Sequence, residues 1–435
     1  MKADATSIPV IVVVGGGAGG LELVTRLGRK LGRRGMAEVV LVDSNRLHVW
    51  KPRFHEVATG AVNADLDAVD YRAHARANHY RFEPGTLADV EVDARRITLA
   101  PVRDSDGAVV LPERHLEYDR LVLAVGSRSN DFNIPGIREH CLFLDSQAQA
   151  ERFRERFLNA CLHANHHDKP LSVAIVGGGA TGVELAAEIH HAISLLRLYG
   201  HEQLHRDQLH VHVLEAGPRI LPALSERVSA SARQRLEALG VGVHPDTMVE
   251  AADAAGFSTR DGSRFEADLL VWAAGVRGPD FLGEIAGLTT NAVNQVEVEP
   301  DLQARGCPGV FVIGDCAACV PPGRDTPVPP RAQVAHQMAW FVARSLEREL
   351  RGEPTLVFRY RDRGSLVSLS RYSSIGMLMG GLRGGTFFVE GMLARWMYIS
   401  LYRMHQAVLY GWPRTLLLLL AGRFNRLVRP RLKLH

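Results

Sequence analysis

Val10–Val14 (VIVVV) is β-branched and carries no polar position, the pattern of a parallel strand buried on both faces. The run breaks at GGGAGG and resumes as LELVTRLGRKLG, with apolar residues at helical spacing. The same order returns at LSVAIV, GGGATG and VELAAEIHHAISLLRLYG. VGGGAGGLEL from Val14 and VGGGATGVEL from Val176 are identical at eight of ten positions. Each helix leads to another apolar run that ends on an acid, AEVVLVD at Asp43 and LHVHVLE at Glu215. Three further runs, YDRLVLAVG, ADLLVWAAG and CPGVFVIGD, predict strands closing on Gly126, Gly275 and Gly314-Asp315. Pro329-Pro330 then precedes AQVAHQMAWFVARSLERELRG, and proline suits the first turn of a long helix. Strands alternating with helices predict an α/β fold with parallel sheets.

Both turns fit G-x-G-x-x-G: Gly15, Gly17 and Gly20 in the first copy, Gly177, Gly179 and Gly182 in the second. The first glycine permits the tight turn, the second admits a pyrophosphate to the backbone, and the third lets helix and strand pack closely. The helix amides and dipole favour the phosphate charge. A carboxylate at the end of the next strand is placed to take ribose hydroxyls; Asp43 stands there 23 residues beyond Gly20, and Glu215 ends the corresponding strand of the second copy. Glu215 would also repel a 2′-phosphate, which favours NADH over NADPH, with nearby Arg219 as the opposing signal. Two dinucleotide sites on one chain imply two ligands that react together, and the economical pair is a resident flavin and a visiting nicotinamide. Asp315 is then placed for a flavin ribityl hydroxyl. The helix after Pro330 would aim its positive end at the flavin edge that becomes negative on reduction.

Composition narrows the picture. The 435 residues allow two or three domains at about 150 each, and 46% hydrophobic with 23% charged is ordinary globular usage. The net charge of +3 conceals an asymmetry: residues 383–435 hold nine Lys/Arg against one acid, Glu390, while the rest holds 42 bases against 47 acids. A basic tail calls for an anionic partner. Trp396, Met397, Tyr398, Leu401 and Tyr402 stand among Arg395 and Arg403, and Trp412 and a leucine run precede Arg423, Arg426, Arg429, Arg431 and Lys433. That mixture describes a helix lying in a membrane interface, the alternative being a homodimer interface. TLLLLLAG falls far short of a spanning segment, and no nucleic-acid module accompanies the bases. Five scattered cysteines imply no disulfide framework. Cys316 and Cys319 form a C-x-x-C, but no second pair completes a metal site, so no metal is expected.

The whole chain resembles type II NADH dehydrogenases, the single-subunit NADH:quinone oxidoreductases of bacterial membranes. It is most similar to the proteobacterial enzymes with HxWKPLLHEVATG; here HVWKPRFHEVATG puts Arg53-Phe54 in place of the paired leucines, a departure beside the flavin pocket. The resemblance implies two Rossmann-like domains and a C-terminal membrane-associating region. FAD binding falls to residues 1–169 and 294–382, NADH binding to residues 170–293 and the membrane region to residues 383–435. It assigns Gly15, Gly17, Asp43, Lys51, Gly126 and Asp315 to non-covalently bound FAD, and Gly179, Glu184, Glu215 and Gly275 to the NADH side. Glu184 would position nicotinamide or handle protons. The AQxxxQ quinone signature stands as Ala332, Gln333 and Gln337, the two glutamines sharing a helix face. The implied activity is NADH oxidation by a membrane quinone, ubiquinone favoured, without proton pumping. The implied setting is peripheral, on the cytoplasmic face of the bacterial inner membrane. The rivals are sulfide:quinone oxidoreductase, which needs a sulfur-handling cysteine pair at the flavin, and a membrane-attached NADH sensor without turnover.

Overall fold

The computed structural model describes residues 8–370, 373–379, 386–428 and 432–433. The chain forms two compact units, one of residues 1–50, 68–128 and 277–361, the other of residues 51–67, 129–276 and 362–435. Each unit contains one of the two glycine turns.

In the first unit five parallel strands stand in the order Val310–Val312, Arg120–Leu123, Val10–Val14, Glu38–Asp43, Arg81–Pro84. Val12 faces Val40 on one side and Leu121 on the other, all fully buried, which is why the central strand has no polar position. The helix after the turn, Ala18–Lys30, packs on the long helix Ala332–Glu349. Gly19 permits this approach, since a Cβ there would lie 3.3 Å from Ala335. An antiparallel sheet of Arg114–Glu117, Arg96–Leu99 and Leu87–Glu91 completes the unit's main elements.

The second unit repeats the plan with four parallel strands, Val241–His244, Leu209–Leu214, Leu171–Val176 and Leu269–Trp272. Val176, Leu214, Phe257 and Trp272 meet in one apolar cluster with Ile137 and Val249. The helix Ala180–Leu198 follows its turn and is buried along most of its length, in keeping with its largely apolar composition. An antiparallel sheet of Gly364–Leu369, Ser373–Met379 and Thr386–Glu390 leads to helices Gly391–Tyr410 and Trp412–Val428. The first of these buries Ala394, His405, Gln406 and Leu409 but exposes Met392, Leu393 and Trp396. Among the described residues no helix is long and apolar enough to cross a membrane. Arg383, Arg429 and Arg431 of the basic tail lie outside the described residues.

Candidate functional site

The two turns share one backbone plan. Gly15 has φ +103° and its amide donates to Val42 O at 2.8 Å; Gly177 has φ +111° and donates to Leu214 O at 2.8 Å. A Cβ at Gly20 would sit 1.9 Å from Gly15 O, and one at Gly182 would sit 2.1 Å from Gly177 O, so the third glycine closes helix onto strand. At Gly17 and Gly179 a Cβ would meet nothing within 4 Å, so the space before each helix is open. Neither helix has a side-chain cap or an acid in its first turn, which suits an incoming phosphate.

Each strand-end acid is bonded to its own turn. Asp43 Oδ2 accepts from Gly16 N at 2.6 Å and Oδ1 from Asn45 N at 2.7 Å. Glu215 Oε2 accepts from Gly178 N at 2.7 Å and Oε1 from Gly217 N at 2.8 Å. Burial pushes the Asp43 carboxyl above its ordinary value, and the Asn45 and Gly16 amides pull it back. Arg219 is turned away from any phosphate role: its guanidinium donates to the carbonyls of Leu221, Pro222 and Leu224. One partner was not legible from the motif, the Tyr71 hydroxyl, which donates to Gly16 O at 2.7 Å and braces the first turn from behind.

The remaining first-unit candidates fit a flavin. Gly126 has φ +72° with open space at its Cβ position. Gly314 has φ +76° and opens a short 3-10 turn carrying Asp315. Asp315 Oδ2 accepts from the Ser127 hydroxyl at 2.9 Å, and its backbone carbonyl accepts from Gln295 Nε2 at 2.8 Å. Ala332 and Gln333 open the helix Ala332–Glu349, which has neither a side-chain cap nor an acid in its first turn. Two open helix N-termini, a ribose-height acid and a hydroxyl-bonded Asp315 are the donor and acceptor set that FAD requires, so the residues fit the cofactor.

Gln337, one turn on, is committed to the chain itself. Its Nε2 donates to Arg361 O at 2.8 Å and its Oε1 accepts from Arg361 N at 3.0 Å. Glu22, the first copy's counterpart of Glu184, contacts His336 Nδ1 at 2.5 Å. Cys316 and Cys319 are buried, with burial pushing both thiols up to about 12, which keeps them protonated.

In the second unit, Lys51 lies 3.6 Å from Asp145, which also accepts from the Ser129 amide and hydroxyl. Gly275 has φ +65°, and a Cβ there would collide with the Phe132 ring at 2.6 Å. Glu184 sits in a buried acid cluster that sequence reasoning did not foresee. Its Oε1 accepts from Ser368 N at 2.9 Å and its Oε2 lies 3.4 Å from His55 Nδ1. Burial, reinforced by the charges of Glu56 and Glu188, raises the Glu184 carboxyl to about 8, and burial with Glu56 raises Glu188 to about 7. Burial lowers His55 to about 4. The Tyr398 hydroxyl is buried within the same electrostatic neighbourhood and pulls the Glu184 carboxyl partly back down. No local signal marks this cluster, because its members come from residues 53–67, 184–188, 368 and 395–402.

Two Rossmann-like units, each carrying an open glycine turn bonded to its own acid, define a two-dinucleotide oxidoreductase. A family model of pyridine nucleotide-disulphide oxidoreductases matches residues 9–339. The type II NADH:quinone oxidoreductase of Haemophilus influenzae is 41% identical, over 98% of this chain and 99% of its own. The enzyme of the same name from Staphylococcus aureus is 30% identical over 85% of this chain and 90% of its own. Among solved structures, NDH2 from Plasmodium falciparum in complex with NADH superposes with TM-score 0.80 at 18% identity, covering 98% of this chain and all of that one. The sulfide:quinone oxidoreductase of Aquifex aeolicus superposes with TM-score 0.71 at 17% identity over 93% and 92% of the two chains. The chain therefore belongs to the type II NADH:quinone oxidoreductases within the pyridine nucleotide-disulphide oxidoreductase family.

Proposed function

We propose that the protein is a FAD-dependent NADH:quinone oxidoreductase that works without coupled proton pumping. The observation that carries the reading is the paired construction of the two turns, Asp43 on Gly16 and Glu215 on Gly178, in a chain related end to end to enzymes of that activity. When bound, FAD supplies the redox chemistry, accepting a hydride from NADH and passing two electrons to the quinone.

The chain's residues bind, orient and manage charge. Gly15, Gly17 and Gly20 admit the FAD pyrophosphate, with Asp43 at the ribose and Asp315 at the ribityl chain. Gly126 leaves space near it, Gly314 supplies the turn that carries Asp315, and Lys51 and Ala332 complete the proposed flavin set. Gly177, Gly179 and Gly182 admit the NADH pyrophosphate, Glu215 takes the ribose hydroxyls, and Gly275 keeps the backbone close. Gln333 is proposed for the quinone headgroup, with Gln337 acting through its grip on the Arg361 backbone. Glu184 holds a proton at neutral pH and is proposed as an acid for quinone reduction, which consumes two protons. Residues 1–169 and 294–382 are read as the FAD-binding part and residues 170–293 as the NADH-binding part. The segment 383–435 is read as the membrane contact, through the exposed apolar faces of its two helices and its bases. Localisation at the cytoplasmic face of the inner membrane follows from that reading.

The sulfide-oxidising rival shares the fold alone. All five cysteines are buried, which leaves none presented as a sulfur nucleophile. The test is oxidation of NADH by purified, flavin-loaded protein with a soluble quinone analogue. Absence of turnover would sink the enzyme reading in favour of a sensor; sulfide-dependent turnover without NADH oxidation would favour the rival.

A further inference from the structure

The Arg53 guanidinium lies at the edge of the buried acid cluster. Nε and Nη2 donate to Glu56 Oε2 at 3.1 and 2.9 Å, and Nη1 donates to Asp67 Oδ2 at 3.0 Å. Its plane lies 4.6 Å from the centre of the Tyr402 ring, on helix Gly391–Tyr410. The side chain is only 16% exposed, so these contacts form where water screens poorly.

We infer that Arg53 is a positioning residue for Glu184: by fixing Glu56 as the charged carboxylate of the cluster, it leaves Glu184 as the carboxyl that keeps its proton. The inference rests on the proposed role of Glu184 as a proton-holding acid. Three carboxyls, Glu56, Glu184 and Glu188, lie near one another in a poorly solvated space, and neighbouring carboxyls in such a space do not all ionise together. The cations decide which one does. Arg53 grips Glu56 with two nitrogens, the strong geometry for a carboxylate. Arg395, and more weakly Arg53, act on Glu188, whose carboxyl they pull down. Among the described residues no guanidinium pairs with Glu184; it faces neutral His55, the Ser368 amide and the Tyr398 hydroxyl, and it feels Glu56 and Glu188 as repelling charges. The proton therefore settles on Glu184. Asp67 and Tyr402 hold Arg53 from its other sides and keep the fork aimed at Glu56.

The experiment compares pH profiles of NADH–quinone turnover for E184Q, R53M, R53K, E56Q and the R53M/E56Q pair, on protein checked for flavin content and melting. E184Q first tests the underlying reading: if its profile matches wild type, the Glu184 assignment fails whatever Arg53 does. With E184Q altered, Glu56→Gln should move the basic limb down by about one pH unit, because Glu184 loses a repelling charge. Arg53→Met should move it the same way, since Glu56, stripped of its cation, takes up a proton. Arg53→Lys keeps the charge and should leave the limb near the wild-type position. The double variant should match E56Q alone. An R53M protein that melts lower with an unmoved limb, or a shift that persists on the E56Q background, would overturn the inference. Should R53M fail to fold, an unmoved limb in E56Q does the same.

Discussion

Glu184 and His55 meet at 3.4 Å, Oε2 to Nδ1, yet the contact is not an ion pair at neutral pH. Burial holds Glu184 near 8 and His55 near 4, so a largely protonated carboxyl faces a neutral imidazole. The acid of the second glycine turn's G-V-E-L thus keeps a proton that the solvent would otherwise remove.

This has a sign for stability. An ordinary glutamate titrates at 4.5, whereas Glu184 in the folded chain titrates near 8. Between those values the folded state holds a proton that the unfolded state releases, so the group's contribution to stability falls as pH rises and levels off above about 8. The loss is at most about 1.4 kcal/mol for each pH unit crossed. Glu184→Gln removes the dependence. Its melting temperature relative to wild type should therefore climb steadily from pH 5 to pH 8.5. A difference that stays flat, or declines, contradicts the protonated state described here.

The closing glycines give a reciprocal test of the two turns. An alanine Cβ at position 20 would lie 1.9 Å from Gly15 O, and one at position 182 would lie 2.1 Å from Gly177 O, distances that only backbone movement relieves. Crowding of this kind costs about 2 kcal/mol or more, roughly 30-fold in binding. Gly20→Ala should lose FAD, read from the visible flavin absorbance of the purified protein. Gly182→Ala should retain flavin and raise the KM for NADH. The opposite assignment of losses would reverse the division of labour between the copies.

Much of this was legible because it is local. A positive φ at Gly15 and Gly177, a missing Cβ at Gly20 and Gly182, and an acid at the end of the next strand are all fixed within a few tens of residues. Pro329-Pro330 likewise announced the helix that begins at Ala332. The setting of Glu184 was not legible, since Ser368 lies 184 residues away in sequence and His55 and Tyr398 carry no motif of their own. The same holds for Gln337, whose shared helix face with Gln333 was foreseen, while its amide's pair of hydrogen bonds to the Arg361 backbone depends on a segment that follows the helix. Arg53 appeared in sequence as a departure beside a flavin pocket; its partners in the structure are Glu56, Asp67 and Tyr402.

Glu215 should set the choice of nicotinamide. One of its oxygens is on Gly178 N and the other on Gly217 N, which aims the carboxylate while leaving lone pairs for two ribose hydroxyls. Arg219, the residue best placed in sequence to welcome a 2′-phosphate, spends its donors on backbone carbonyls. Glu215→Gln removes the repelling charge and weakens the acceptor. The KM for NADH should rise about tenfold or more, equivalent to at least about 1.4 kcal/mol, and the ratio of NADPH to NADH turnover should increase. An unchanged ratio would put the discrimination elsewhere.

The membrane contact can be tested without cutting the chain, and the structure argues against cutting it. Helix Gly391–Tyr410 carries Tyr398 and Tyr402 into the acid cluster, and Lys433 N donates to Gly60 O at 2.8 Å beside buried Leu432. A deletion of residues 390–435 would therefore disturb Glu184 along with any lipid contact. The helix Trp412–Val428 offers cleaner positions: Trp412, Leu416 and Leu420, at helical spacing, are 68%, 59% and 45% exposed. An apolar side chain buried in a lipid interface contributes on the order of 1.5 kcal/mol or more, and each nearby base about 1 kcal/mol on anionic lipid. Leu416→Glu with Leu420→Glu should lower binding to anionic vesicles at least about tenfold in a sedimentation assay. Melting temperature and turnover with a soluble quinone analogue should stay at wild-type values, because neither leucine supports the fold. Undiminished vesicle binding would remove this helix from the membrane contact. A change in protomer association instead would identify the face as a homodimer interface.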